Sequence, residues 1–328
     1  MYGTRCVMNS NLKNYSLLLI ACIIWGLTPL CGRILKDCMS PMLITGLRFS
    51  IASSIIFIVL AFTEGKKAFM PSKHDFIVLL AMAFLGIFLH NCMLFKALQI
   101  TTASNASLIE SVGPSITSVL AFFIIGERLS KIGWLGIFIS CFGAIFIVTK
   151  GSIEAVLNLD LNIGDVIVVI CEAMWSFYVV ISWKLSGKLS PLSVTAWTCF
   201  IGAAFCIVVG TVTGALEVYA ITPYYIGAFL ALTLLAGVVA FATWNMAIGK
   251  VGASKGGTFV YLIPIFGVVF GVTILGESFS YKEVIGAVIV IIGMIFSAKA
   301  KLSVKELKPK ISDIKKEILE KQQNSETN

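Results

Sequence analysis

The residues that most constrain this chain are those that return after 150 positions without a gap. Ala103-Ser104, Pro114, Gly126-Glu127, Ser130, Gly136 and Gly143 recur as Ala253-Ser254, Pro264, Gly276-Glu277, Ser280, Gly286 and Gly293. The same offset pairs Trp25 with Trp175, Ser40-Pro41 with Ser190-Pro191, Thr45 with Thr195, Leu80-Ala81 with Leu230-Ala231 and Ala97 with Ala247. One ancestral unit has been copied whole, so the two halves must fold by the same rules.

The repeated unit belongs in a bilayer. Of the 328 residues, 58% are hydrophobic and 13% charged, a composition no soluble surface tolerates. Apolar stretches of about 20 residues, enough to cross the hydrocarbon core at 1.5 Å per residue, run over 15–35, 41–62, 76–97, 102–125, 131–149, 164–184, 191–212, 223–248, 253–275 and 281–299. The expected fold is therefore an all-α integral membrane protein of ten transmembrane helices. Its expected divisions are an N-terminal segment 1–14, a first repeat 15–149, an outer connecting loop 150–163, a second repeat 164–299 and a soluble Lys-rich tail 300–328. The first apolar run is longer than a signal-peptide core and lacks a small-residue cleavage site, so it reads as a retained span.

Basic residues set the expected orientation. With the N-terminus inside, inner segments hold Arg5, Lys13, Lys66, Lys67, Lys73, Arg128, Lys131, Lys184, Lys188, Lys250, Lys255 and the tail, whereas outer segments hold Arg33, Lys36, Lys96, Lys150 and Lys282. That asymmetry predicts cytoplasmic N- and C-termini in the cell membrane. The net charge of +8 then needs no nucleic-acid partner. The bilayer itself is the expected partner, with anionic headgroups within reach of the tail.

Five spans per copy is an odd number, so the second copy enters the membrane from the side opposite to the first. Inverted halves supply two packings, one open to each face, exchanged by rocking one bundle against the other. Gly202, Cys206, Gly210 and Gly214 form a small-residue stripe on the seventh span, and Gly267 and Gly271 a GxxxG on the ninth. Pro114 and Pro264 fall mid-span at equivalent positions, where each removes a backbone hydrogen bond and predicts a kink, static or gating.

The run from Ala97 through Thr101-Thr102-Ala103-Ser104-Asn105 to Leu108, then Pro114, Gly126-Glu127-Arg128-Leu129-Ser130, Gly136 and Gly143, resembles the EamA repeat of the drug/metabolite transporter superfamily. The second copy repeats it with Ala253-Ser254, Pro264, Gly276-Glu277 and Ser280, and Trp25-Gly26 and Arg48 also fit. The resemblance covers residues 15–299 and implies ten helices around a central cavity. It also implies traffic in amino acids, other small metabolites or toxic compounds, mostly outward in bacteria. The second copy departs from the first, with Thr198 in place of Arg48 and Ser278 in place of Arg128, so any charged site is asymmetric.

Ionisable groups inside spans are costly and are functional candidates by default. Arg48 and His90 lie about 10 Å below the outer ends of their spans, and Glu110 and Glu172 about 13 Å, so they fall in one mid-membrane slab together with Asn91. Each has a plainer reading. That of Arg48 and Glu110 is a structural ion pair, and that of His90 a packing histidine. Glu172 has no arginine left to pair with, so it needs a proton, water or a cation, as proton coupling or an amine-bearing solute would supply. Trp25, Trp175, Tyr178 and Tyr261 add aromatic area near the same depth, as pocket walls or as ordinary helix packing. Glu127 and Glu277, at span ends, read as structural carboxylates that favour a helix N-terminus or pair with a base.

These features predict a secondary or facilitative carrier for a small polar metabolite such as an amino acid, moved outward, with protons as a candidate coupling partner. A lipid or lipid-linked sugar flippase, an uptake carrier of the same build and a non-transporting membrane anchor are the alternatives. No nucleotide-binding GxxxxGK[ST] run is present. The two histidines and nine cysteines show no metal-ligand or nucleophile–base spacing, so neither enzymatic activity nor a cofactor or metal is expected. Oligomeric state is not legible.

Overall fold

The computed structural model describes residues 2–64, 70–126, 130–152, 161–182, 185, 188–251, 258–278 and 280–301. Glu127, Arg128, Ala253, Ser254 and the tail beyond Lys301 lie outside these. The described chain is a helical bundle of ten spans. The first five are α1 (Tyr2–Leu35), α2 (Pro41–Thr63), α3 (Lys73–Ala97), α4 (Ala103–Ile125) and α5 (Lys131–Val148). The second five are α6 (Ile163–Ser182), α7 (Pro191–Thr213), α8 (Pro223–Val251 in three consecutive stretches), α9 (a 3-10 turn Thr258–Leu262 followed by Ile263–Leu275) and α10 (Tyr281–Lys301). Seven of these are apolar and long enough to cross a membrane, and Pro223–Val239 and Phe259–Leu275 are shorter apolar helices. The helix of α1 starts at Tyr2, ahead of the apolar span, which runs from Lys13 to Leu35.

Local chemistry sets the helix starts. Ser40 caps α2 and Ser190 caps α7, each accepting a bond from the residue three positions on, with Pro41 and Pro191 in the first turn where a missing N–H costs nothing. Gly126 and Gly276 end the fourth and ninth spans with φ of 69° and 66°, a left-handed turn that glycine adopts without strain.

The two copies run in opposite senses. The end of α1 and the end of α7 share one face, joined by a β-bridge between Met39 and Val218, by Ser40 N–H donating to Glu217 O at 2.9 Å and by Ser40 Oγ donating to Ala215 O at 2.6 Å. The first helix of one copy and the second helix of the other finish on the same side, as inversion requires. Across the pseudo-twofold, α2 packs on α7, α4 on α9 and α5 on α10. α1 lies against α8 and α9, while its counterpart α6 lies against α3 and α4, so each copy inserts its first helix into the other.

Small residues permit these approaches. A methyl on Gly293 would strike Gly136 O at 2.6 Å, and one on Gly143 would strike Val290 N at 2.8 Å, a symmetric pair of contacts between α5 and α10. The α9 stripe faces the first half of α4: a methyl on Gly267 or Gly271 would run into Ser107 or Ser104. The α7 stripe faces two neighbours, with Gly202 against Ile87 and Gly210 against Met42.

Two irregularities recur at equivalent positions. α3 widens into a π-helix over Ala83–Leu89 and α8 over Ala231–Val239. His90 N–H reaches back to Leu85 O and Ala240 N–H to Leu235 O, five residues in both cases. In addition, the regular α-helix of α4 is interrupted for two residues. A first half Ala103–Glu110 ends at Ser111-Val112, and a second half starts at Gly113. α9 turns α-helical at Ile263, the repeat partner of Gly113. Pro114 and Pro264 therefore sit in the first turn of the second stretch of their spans, where a missing N–H costs little.

Candidate functional site

The break in α4 exposes Glu110 at the end of the first half-helix. Glu172 of α6 lies across the same break, its carboxylate resting on Gly113, where a side chain would collide with Oε2. Ser176, one turn further along α6, donates to Gly113 O at 3.1 Å and accepts from Thr117 Oγ1 at 2.9 Å, fixing α6 against the second half of α4. Glu172 is 6% exposed and Glu110 is half-buried. The two acids flank the same interruption of α4, and among the described residues neither accepts a hydrogen bond.

This arrangement corrects the expected Arg48–Glu110 ion pair. Among the described residues the salt bridges are those of Asp75 with Lys188 and His74, and Arg48 has none. Arg48 is 7% exposed on α2, with Nε and Nη1 buried and without a partner. Its guanidinium carbon stands 4.7 Å from the Phe49 ring centroid and 6.0 Å from that of Phe95.

An aromatic strip on α3 and α6 ends at Thr198 of α7. The His90 ring packs on Trp175 at 5.5 Å, Trp175 stacks on Tyr178 at 4.9 Å and 9°, and Tyr178 Oη shares a 3.2 Å hydrogen bond with Thr198 Oγ1. Tyr178 fits because Gly86, in the π stretch of α3, has no side chain: a methyl there would meet the ring at 2.5 Å. His90 O accepts from Cys171 Sγ at 3.5 Å, which ties α3 to the residue beside Glu172. His90 Nδ1 has no partner.

Three sequence candidates stand elsewhere. Asn91 turns its amide onto its own helix, donating to Gly86 O at 3.3 Å and Ile87 O at 3.0 Å, so it braces the π stretch. Tyr261 donates to Met294 O at 3.3 Å and so faces α10. Trp25 donates from Nε1 to Ala236 O at 3.2 Å, in the π stretch of α8, and packs on Phe241 and Trp244 at 5.2 and 5.3 Å. It is the scaffold counterpart of Trp175, set against α8 as Trp175 is set against α3.

Sequence reasoning missed a clasp at the start of α4. Glu277, at the end of α9, accepts from Ala103 N–H at 2.8 Å, Ser104 N–H at 2.9 Å and Ser104 Oγ at 2.6 Å. The expected carboxylate at a helix N-terminus is present, but the helix belongs to the other copy. Asp165, fully buried at the start of α6, accepts from Thr101 Oγ1 and from Asn105 Nδ2 at 3.3 Å. Its full burial was hidden because it stands two residues inside a span end. Beside the clasp, Arg33, Lys36, Asp37, Thr102, Tyr224, Tyr225 and Glu277 line a recess of about 340 Å³ at the face where α1 and α7 end.

An inverted pair of five-helix units with a broken span and buried charges at mid-depth defines a multi-pass membrane transport protein. The chain belongs to the EamA-like transporter family, which matches residues 12–149 and 162–298, one match per copy. Among similar proteins is the uncharacterized transporter YyaM of Bacillus subtilis (strain 168), 31% identical over 286 residues, spanning 87% of this chain and 93% of that one. An uncharacterized transporter of Archaeoglobus fulgidus is 26% identical over 284 residues, covering 87% and 96% of the two chains. A crystal structure at 19% identity superposes with a TM-score of 0.61 over 90% of this chain and 98% of its own, which supports the fold. Family and relatives alike are transporters, which points away from an enzyme.

Proposed function

We propose that this transporter is a secondary carrier in the cell membrane, with both termini cytoplasmic, that exports a small polar metabolite by alternating access. Amino acids are the solute class first in line. The observation that carries the reading is the pair of acids at the interruption of α4, Glu110 at the end of its first stretch and Glu172 of α6 against Gly113, neither in an ion pair among the described residues. Two carboxylates in one low-dielectric layer are costly unless they take up a proton or a cation. A site of this kind favours whatever supplies positive charge, and exchange of that charge for solute is the simplest coupling it permits. The broken helix serves the same end. It places the end of one half-helix and the start of another at mid-depth, where irregular backbone is tolerated because it lines a protected interior.

The test is counterflow. Full-length protein in liposomes, preloaded with unlabelled amino acid, should accumulate external labelled amino acid without ATP. Flux that appeared only with ATP hydrolysis would overturn the reading. Reporter tags at the two ends should both be found in the cytoplasm; tags on opposite sides would remove the inverted pair and the mechanism with it.

A further inference from the structure

We infer that Arg48 is the anion-binding point of this carrier and that the transported solute presents a carboxylate to it. The inference rests on the carrier reading above and adds a chemical class to it. A guanidinium that is 7% exposed, with Nε and Nη1 buried and unbonded, is an expensive thing to keep in a membrane bundle. Its aromatic neighbours, at 4.7 and 6.0 Å from the guanidinium carbon, offset only a small part of that cost. The other groups that interact with it are the thiols of Cys31 and Cys199 and the ring of His90, none of which is a counter-ion.

The fold does not require a cation here. Thr198 fills the equivalent position in the second copy, fully buried, and is satisfied by Val194 O at 2.8 Å and by Tyr178 Oη at 3.2 Å. A scaffold role would be served as well by threonine, so the arginine is retained for something absent from the chain itself. A guanidinium is a planar fork of donors matched to a carboxylate. The carboxylates the protein does possess at this depth, Glu110 and Glu172, make no ion pair with Arg48 among the described residues.

The experiment is a thermal-shift titration of the purified full-length protein with L-amino acids and succinate, each compared with its own amide, and with chloride as a separate probe. We expect at least one acid to stabilise the protein and its amide to bind at least about tenfold more weakly. The Arg48→Gln variant should weaken that acid by about 30- to 100-fold, in line with loss of a charge-assisted hydrogen bond, and leave the amide within about twofold. The inference is overturned if amides match acids, if no carboxylate binds, if chloride alone stabilises, or if the variant binds the acid as well as the wild type. Should the variant not fold, the acid–amide comparison on the wild type decides alone. Counterflow of amines or amides that ignores carboxylates would sink this inference and leave the carrier standing. Absence of any counterflow would sink the carrier reading itself.

Discussion

The two copies agree in backbone and disagree in chemistry. Both have a π stretch in the third helix, an interrupted fourth helix restarting at Gly113 or Ile263, and glycine-mediated packing of the fifth. Yet the first copy carries Arg48, His90 and Glu110 where the second carries Thr198, Ala240 and Val260, and Glu172 of the second faces Cys22 of the first by repeat position. Alternating access needs two interchangeable packings, which symmetry of the backbone provides. Recognition of one solute needs no symmetry at all. The copies were free to diverge at each point where a side chain faces the interior and bound to agree where backbones touch.

The sharpest way to break this comparison is at Glu172. Glu172→Gln should lower counterflow by at least about tenfold and flatten its dependence on pH, since the amide can neither take up nor release a proton. Cys22→Ala, at the equivalent scaffold position, should stay within about twofold of the wild type, because Cys22 makes only a weak thiol bond to Phe259 O at 3.1 Å. Equal losses in the two variants would mean that the layer matters as packing and that its charge does not.

How much of this was legible in the sequence follows the same division. The inversion, the span count and the glycine stripes could be read because they depend on composition and on spacing within one helix. The place of Glu172 against Gly113 could not, because it depends on α6 crossing into the first copy. Nothing in a periodic apolar segment states which neighbour it chooses. Arg48 was matched to Glu110 on charge alone, whereas among the described residues the two form no ion pair. Tyr261 was placed by depth, but depth does not fix the direction of a side chain on its helix. The π stretches left one trace: Gly86, which makes room for the Tyr178 ring.

A smaller effect is expected at the clasp between copies. Glu277→Ala removes three hydrogen bonds to the start of α4, two of them to backbone N–H groups that have no helical partner of their own. Charge-assisted caps of this kind contribute on the order of 2–3 kcal/mol. Unfolding in detergent should therefore start at a clearly lower temperature than for Glu217→Ala, an exposed acid that accepts one bond from Tyr219. If the two variants melt together, the clasp is ornamental, and the copies are held by their glycine contacts alone.

The smallest difference should separate the two tryptophans. Trp25→Phe forfeits the bond from Nε1 to Ala236 O, a net loss of about 1 kcal/mol for a neutral donor. Trp175→Phe keeps a ring against His90 and Tyr178 and should cost less stability, while weakening solute binding because it thins the aromatic stack on the buried, unpartnered His90 Nδ1. One variant should therefore move the melting temperature more than the apparent affinity, and the other the reverse. A shared profile would mean that these two residues still serve the scaffold alike, and that divergence of the copies stops short of the aromatic strip.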